Sequence, residues 1–114
     1  MATEQSLLQL CATAAVPESR AIRVEEANML LAVFNLAGTF YVTDDTCTHG
    51  PGSLSQGEID GDIVECDFHA GCFHIPTGRV ESPPCMIPVQ TYAVHIIDGQ
   101  VCIEREPRPL AKQA

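Results

Sequence analysis

The sequence predicts an all-β domain, a small sandwich or partly open barrel, and three observations carry that reading. Short runs of β-type residues recur along the chain. Asp98-Gly99 joins the last two of them, a strong local hairpin signal. No long stretch places apolar residues at helical spacing. With 114 residues, 46% of them hydrophobic, the chain is expected to form one domain with a genuine core.

LLQLCA, 7–12, reads as the first strand. AIRVEEA, 21–27, alternates in part, and MLLAVFNLA, 29–37, is a more continuous apolar run. A turn at Ala37-Gly38 leads into TFYVTD, 39–44. QTYAVHII, 90–97, and QVCIERE, 100–106, close the chain as a hairpin. Between these groups, residues 45–88 hold six of the eight glycines and five of the eight prolines, so this stretch reads as a loop-rich insertion. SPPCMIP, 82–88, cannot be an interior strand, because three of its seven residues lack an amide donor. The domain is expected to span 1–107, with 108–114 as a flexible tail.

Six cysteines would suit a disulfide-built secreted domain. The opening MATEQSLLQL argues otherwise, since Glu4 stands where a secretion signal needs positive charge. No apolar run approaches the roughly 20 residues that span a bilayer. A cytoplasmic protein without a membrane anchor is expected, and there cysteines bind metal or sit buried as thiols. The net charge of −9 excludes nucleic acid as a partner, because phosphate recognition needs a basic patch. Seven acidic residues and no Lys or Arg lie between 44 and 74, which reads either as a solvated surface or as a docking face for a basic partner.

The insertion concentrates soft metal ligands. Cys47-Thr-His49 is followed, sixteen residues on, by Cys66-Asp-Phe-His69. Each half supplies one thiolate and one imidazole. Structural zinc can use two of each, although the common zinc finger pairs like with like. A two-iron cluster of the Rieske type needs two cysteines on one iron and two histidines on the other, and two such loops meet that demand. Cys72 and His74 lie close by but break the pattern, and read as bystanders. Cys11 and Cys102 fall in strands, where a thiol behaves as a small hydrophobe. His95 reads as a structural strand histidine, and Asp44 and Asp45 as turn formers rather than acid–base groups.

CTHG (47–50), VECDFHAGCF (64–73), TGRV (77–80) and SPP (82–84) resemble the Rieske ferredoxins of bacterial aromatic-ring-hydroxylating dioxygenases, the biphenyl and naphthalene type. The resemblance runs from the first strand to the final hairpin. It implies one [2Fe–2S] cluster, with Cys47 and Cys66 on one iron and His49 and His69 on the other. It also implies a β-sandwich base carrying a smaller cluster-binding subdomain over about 45–88, with Pro83 and Pro84 in a loop that shields the cluster. Rieske proteins of the respiratory cytochrome complexes share the ligand loops but add a disulfide, at positions that read Gly52 and Phe68 here. They also add serine and tyrosine hydroxyls, at positions that read Gly71 and Phe73 here.

Those differences bear on the potential. Two ferric ions, two sulfides and two thiolates sum to zero, so an electron enters more easily than in a four-thiolate centre. Each absent hydroxyl removes a hydrogen bond that favours the reduced cluster, and the acidic surface opposes the added charge. A potential near the low end of the Rieske range, on the order of −150 mV, is expected. The resemblance implies a one-electron carrier between a flavoprotein NAD(P)H reductase and a terminal Rieske oxygenase, not an enzyme in its own right. An apolar collar of Pro51, Phe68 and Pro83 around the exposed histidine edges would serve docking. The alternative is a Rieske small subunit of another redox enzyme, such as a nitrite reductase.

Overall fold

The computed structural model describes residues 7–48, 52–66, 71–82 and 87–111. Among these, eleven strands form three antiparallel sheets. No helix among the described residues is long and apolar enough to cross a membrane.

Strands β1 (Leu7–Ala12), β10 (Val94–Ile97) and β11 (Gln100–Glu104) make the first sheet, in the order β1-β11-β10. Strands β2 (Arg20–Glu26), β3 (Met29–Leu36), β4 (Thr39–Asp44) and β9 (Thr91–Tyr92) make the second, in chain order. The third sheet is a meander of four three-residue strands: β5 (Glu58–Asp60), β6 (Ile63–Glu65), β7 (Cys72–His74) and β8 (Val80–Ser82). Two 3₁₀ turns, η1 (Thr13–Ala15) and η2 (Leu54–Gln56), complete the elements.

The apolar run of β3 has a simple cause. Side chains alternate along a strand, and β3 is buried on both faces. Leu31 and Val33 join Leu8, Leu10, Val42, Val101 and Ile103 in a core between the first and second sheets. Ala32 and Phe34 join Leu54, Val64, Phe73, Ile75 and Val89 in a second core, against the small sheet. The middle sheet is therefore packed on both sides. Full burial of each large apolar side chain contributes about 1.5–3 kcal/mol.

Tight turns set the register. Asp98 and Gly99 both have positive φ (52° and 75°), as do Ala37 and Gly38 (55° and 92°), which suits two-residue hairpins whose twist matches the strands. Asn35 supports the second turn: its Oδ1 accepts from the Gly38 amide at 2.8 Å, and its Nδ2 donates to the Val16 carbonyl at 2.8 Å.

The structure amends several strand boundaries. Ala27 leaves the expected second strand and forms a turn with Asn28, both at positive φ (52° and 64°). The last strand ends at Glu104 rather than at residue 106. The expected strand 90–97 divides at Ala93, because Thr91 and Tyr92 pair with β4 while Val94–Ile97 pairs with β11. One extended segment thus passes from one sheet to the other, a corner joining two packed sheets. Arg108, the first residue of the expected tail, is tied to the body: its amide donates to the Thr91 carbonyl at 2.8 Å and its Nη1 to the Pro76 carbonyl at 3.2 Å.

Candidate metal centre

The two cysteines of the ligand pattern occupy matching positions. The Cys47 amide donates to the Gly52 carbonyl at 3.0 Å, and the Cys66 amide donates to the Gly71 carbonyl at 2.9 Å. Each bond closes a loop of the form Cys-x₄-Gly. The first loop is flanked by the bridge Thr46↔Ser53, the second by the β6–β7 pair Glu65↔Cys72. Two matched closures thus start from equivalent cysteines.

Both cysteines are buried, Cys47 to 2% exposure and Cys66 to 3%, and both belong to the core that holds Leu54, Val64 and Phe73. A pair of buried soft donors at the bases of two matched loops fits the thiolate half of a two-iron centre. The expected histidine ligands, His49 and His69, lie outside the described residues, as do Pro51, Phe68, Pro83, Pro84 and Cys85.

The neighbours hold the loops in place. Asp45 is 1% exposed. Its Oδ2 accepts from the Ser53 hydroxyl at 2.6 Å and its Oδ1 from the Ser55 amide at 2.8 Å, while its carbonyl accepts from the Leu54 amide at 2.7 Å. Asp45 is therefore a buried anchor binding the chain on both sides of the first loop, a role beyond the expected turn former. Thr48, next to Cys47, donates its hydroxyl to the Ile87 carbonyl at 2.7 Å. That bond fastens the first loop to the chain that follows the two prolines. The Tyr92 hydroxyl donates to Asp44 Oδ1 at 2.6 Å. Burial first, then the hydrogen bond and charge of Asp44, push the Tyr92 phenol above its ordinary value.

The other described cysteines and histidines point elsewhere. Along β7, Phe73 faces the core at 0% exposure, so Cys72 and His74 face the other way. Both His74 ring nitrogens are engaged, Nδ1 with the Thr77 hydroxyl at 2.8 Å and Nε2 with Asp62 at 3.0 Å. His95 meets Glu104 at 2.9 Å on the far sheet. Cys11 and Cys102 sit in β1 and β11, where burial raises both thiols above their ordinary value.

Sequence reasoning missed Asp45, Thr48 and the packing role of Phe73. A signal for the closed loops was present, since Cys-x₄-Gly occurs at 47–52 and again at 66–71. Asp45 and Thr48 left no comparable trace, because their partners are fixed by three-dimensional proximity.

The Rieske [2Fe-2S] domain matches residues 6–93. The chain is 39% identical over 105 residues to ferredoxin CarAc of Metapseudomonas resinovorans, covering 91% of this chain and 98% of the relative. It is 41% identical over 95 residues to the biphenyl dioxygenase ferredoxin subunit of Pseudomonas sp. (strain KKS102), covering 82% and 87%. Among solved structures, it superposes with a TM-score of 0.86 and 38% identity on a chain from the complex of reduced oxygenase and oxidized ferredoxin in carbazole 1,9a-dioxygenase, covering 93% of this chain and 99% of that one.

Proposed function

The chain belongs to the Rieske [2Fe–2S] domain family and is an electron-transfer protein with one such cluster, and on that premise we propose that it carries single electrons from an NAD(P)H-dependent flavoprotein reductase to the terminal oxygenase of an aromatic-ring-hydroxylating dioxygenase. In this reading Cys47 and Cys66 hold one iron, and His49 and His69 hold the other. The cluster-binding subdomain spans about 45–88 of a domain running over 1–107, and the protein works in the cytoplasm. The observation that carries the reading is the pair of closed Cys-x₄-Gly loops with both cysteines in one core. It is supported by likeness over most of the chain to ferredoxin components of dioxygenase systems.

The cluster, when bound, accepts and releases one electron without any bond being made or broken. The chain's own residues hold the site still. The two amide-to-carbonyl closures hold the cysteine loops, Asp45 anchors the first loop from within, and Thr48 binds it to the segment at Ile87. A rigid site changes little in shape between oxidation states, which keeps the cost of each transfer low. Phe73 packs in the core with the two cysteines and brings no hydroxyl near them, in keeping with a low potential.

Reconstitution tests the proposal. NADH-dependent ring hydroxylation is expected with reductase, oxygenase and this protein together, and its loss when this protein is omitted. Hydroxylation that proceeds undiminished without it, or a purified protein that is colourless and holds zinc, would contradict the reading. Stable co-purification with a reductase-type catalytic subunit would favour a fixed subunit over a shuttle.

A further inference from the structure

Glu58 of β5 stands directly opposite Glu65 of β6, and both side chains are exposed. Facing residues on paired strands hold their Cβ atoms about 4.5–5.5 Å apart, where like charges repel. Among the described residues neither carboxylate has an ion-pair partner. No Lys or Arg occurs between 44 and 78, and Arg79, the next basic residue, is held by Glu81 at 2.6 Å. Asp62 on the same hairpin is engaged by His74 at 3.0 Å. The small sheet thus keeps a repulsive pair that a single lysine would relieve.

The pair sits beside the metal centre. Strand alternation turns Val64 inward and Glu65 outward, and the next residue, Cys66, is buried. Gln56, Gly57, Glu58, Glu65 and Cys66 line one surface cleft, so the carboxylates and the buried cysteine border the same space. Gly57 permits the close approach, since a Cβ there would run into the Glu65 carbonyl.

We propose that the Glu58–Glu65 pair is an electrostatic tuning element that lowers the reduction potential of the cluster held by Cys66. The inference rests on the Rieske reading. The step concerned is the gain of one electron from the reductase, with no bond formed or broken, so the added charge is opposed by two fixed negative charges nearby. Exposed charges are screened beyond about 10 Å in 0.1 M salt, so the effect is largest in dilute buffer.

The test is the midpoint potential of the cluster-loaded protein, measured by optical redox titration at low and high NaCl. The proteins compared are the wild type, Glu58→Gln, Glu65→Gln, the double variant and Glu104→Gln. Each single variant is expected to raise the potential and the double variant to raise it most, with shifts that shrink as salt rises. Glu104→Gln, on the far sheet beside His95, is expected to move it little. The urea midpoint is expected to rise in Glu65→Gln as the repulsion is relieved. A double variant with an intact iron–sulfide spectrum and an unmoved potential in dilute buffer overturns the inference alone, as does an equal shift in Glu104→Gln. A wild type that lacks the chromophore overturns the Rieske reading and the inference with it.

Discussion

The two faces of β3 look onto cores built on different plans. On one face, Leu31 and Val33 meet strands β1, β4 and β11, five or six residues long, through almost wholly aliphatic contacts. On the other, Ala32 and Phe34 meet strands of three residues, a buried pair of cysteines and a loop anchored by a buried carboxylate. The first core resembles that of any small sandwich. The second has short ladders and few hydrogen bonds per strand, so it depends on the loops and, in the proposed reading, on the cluster that the cysteines hold. The difference teaches that one strand can separate an aliphatic scaffold from a site whose order, in the proposed reading, is coupled to its metal.

The largest expected effect breaks the second core alone. Iron removal, or Cys47→Ser, is expected to abolish the visible absorbance and to speed hydrogen exchange at Val64, Cys66 and Ile75, while Val33, Val101 and Ile103 keep their protection. Equal loss of protection in both groups would mean that the two cores are one cooperative unit.

Truncation sharpens the comparison next. Phe73→Ala is expected to cost about 3–5 kcal/mol and Leu31→Ala about 2–5 kcal/mol, read from urea unfolding. Only the first is expected to change the cluster's spectrum in folded protein, because only Phe73 shares a core with the cysteines. An unchanged spectrum in Phe73→Ala would show that this packing does not reach the metal.

Asp45→Ala comes third. It leaves the Ser55 amide without its acceptor and removes one partner of the Ser53 hydroxyl, at about 1–3 kcal/mol. Iron retention during dialysis is expected to fall, since the first ligand loop loses its anchor. Retention equal to wild type would make Asp45 a purely structural residue.

The smallest effect is in alkaline solution. Cys11, Cys102 and Tyr92 all have values raised in the folded state, so folding favours their neutral forms. That contribution is complete below the unfolded values, 9.0 for the thiols and 10.0 for the phenol, and is lost as pH rises above them. Stability against urea is therefore expected to decline above about pH 9. Tyr92→Phe is expected to cost on the order of 1 kcal/mol at neutral pH and to flatten the upper part of that decline. A decline of undiminished steepness in Tyr92→Phe would assign it wholly to other groups.

Some of this was readable beforehand. Strands β1 and β4 have the limits that their sequence runs indicate, and the Asp98-Gly99 and Ala37-Gly38 turns each carry a glycine suited to positive φ. Ala27-Asn28 lacks glycine, so Ala27 reads as the end of a strand. The four strands of the small sheet are too short to display a period of two, and within a loop-rich stretch they could not be told from loop. The break at Ala93 was invisible because both halves of 90–97 have strand chemistry. Only the identity of the partner strands separates them.

By itself the sequence determined the β class, the hairpins and the Cys-x-His and Cys-x-x-His spacing of the proposed ligands, because hydrophobic alternation, turn residues and metal donors act over a few neighbouring positions. Tertiary structure alone decided that β3 is buried on both faces, that Asp45 and Thr48 fasten the first loop, and that Glu58 faces Glu65 beside Cys66. Each of these depends on which segments meet and in what register. Packing sets such meetings, and they leave no periodic mark in the chain.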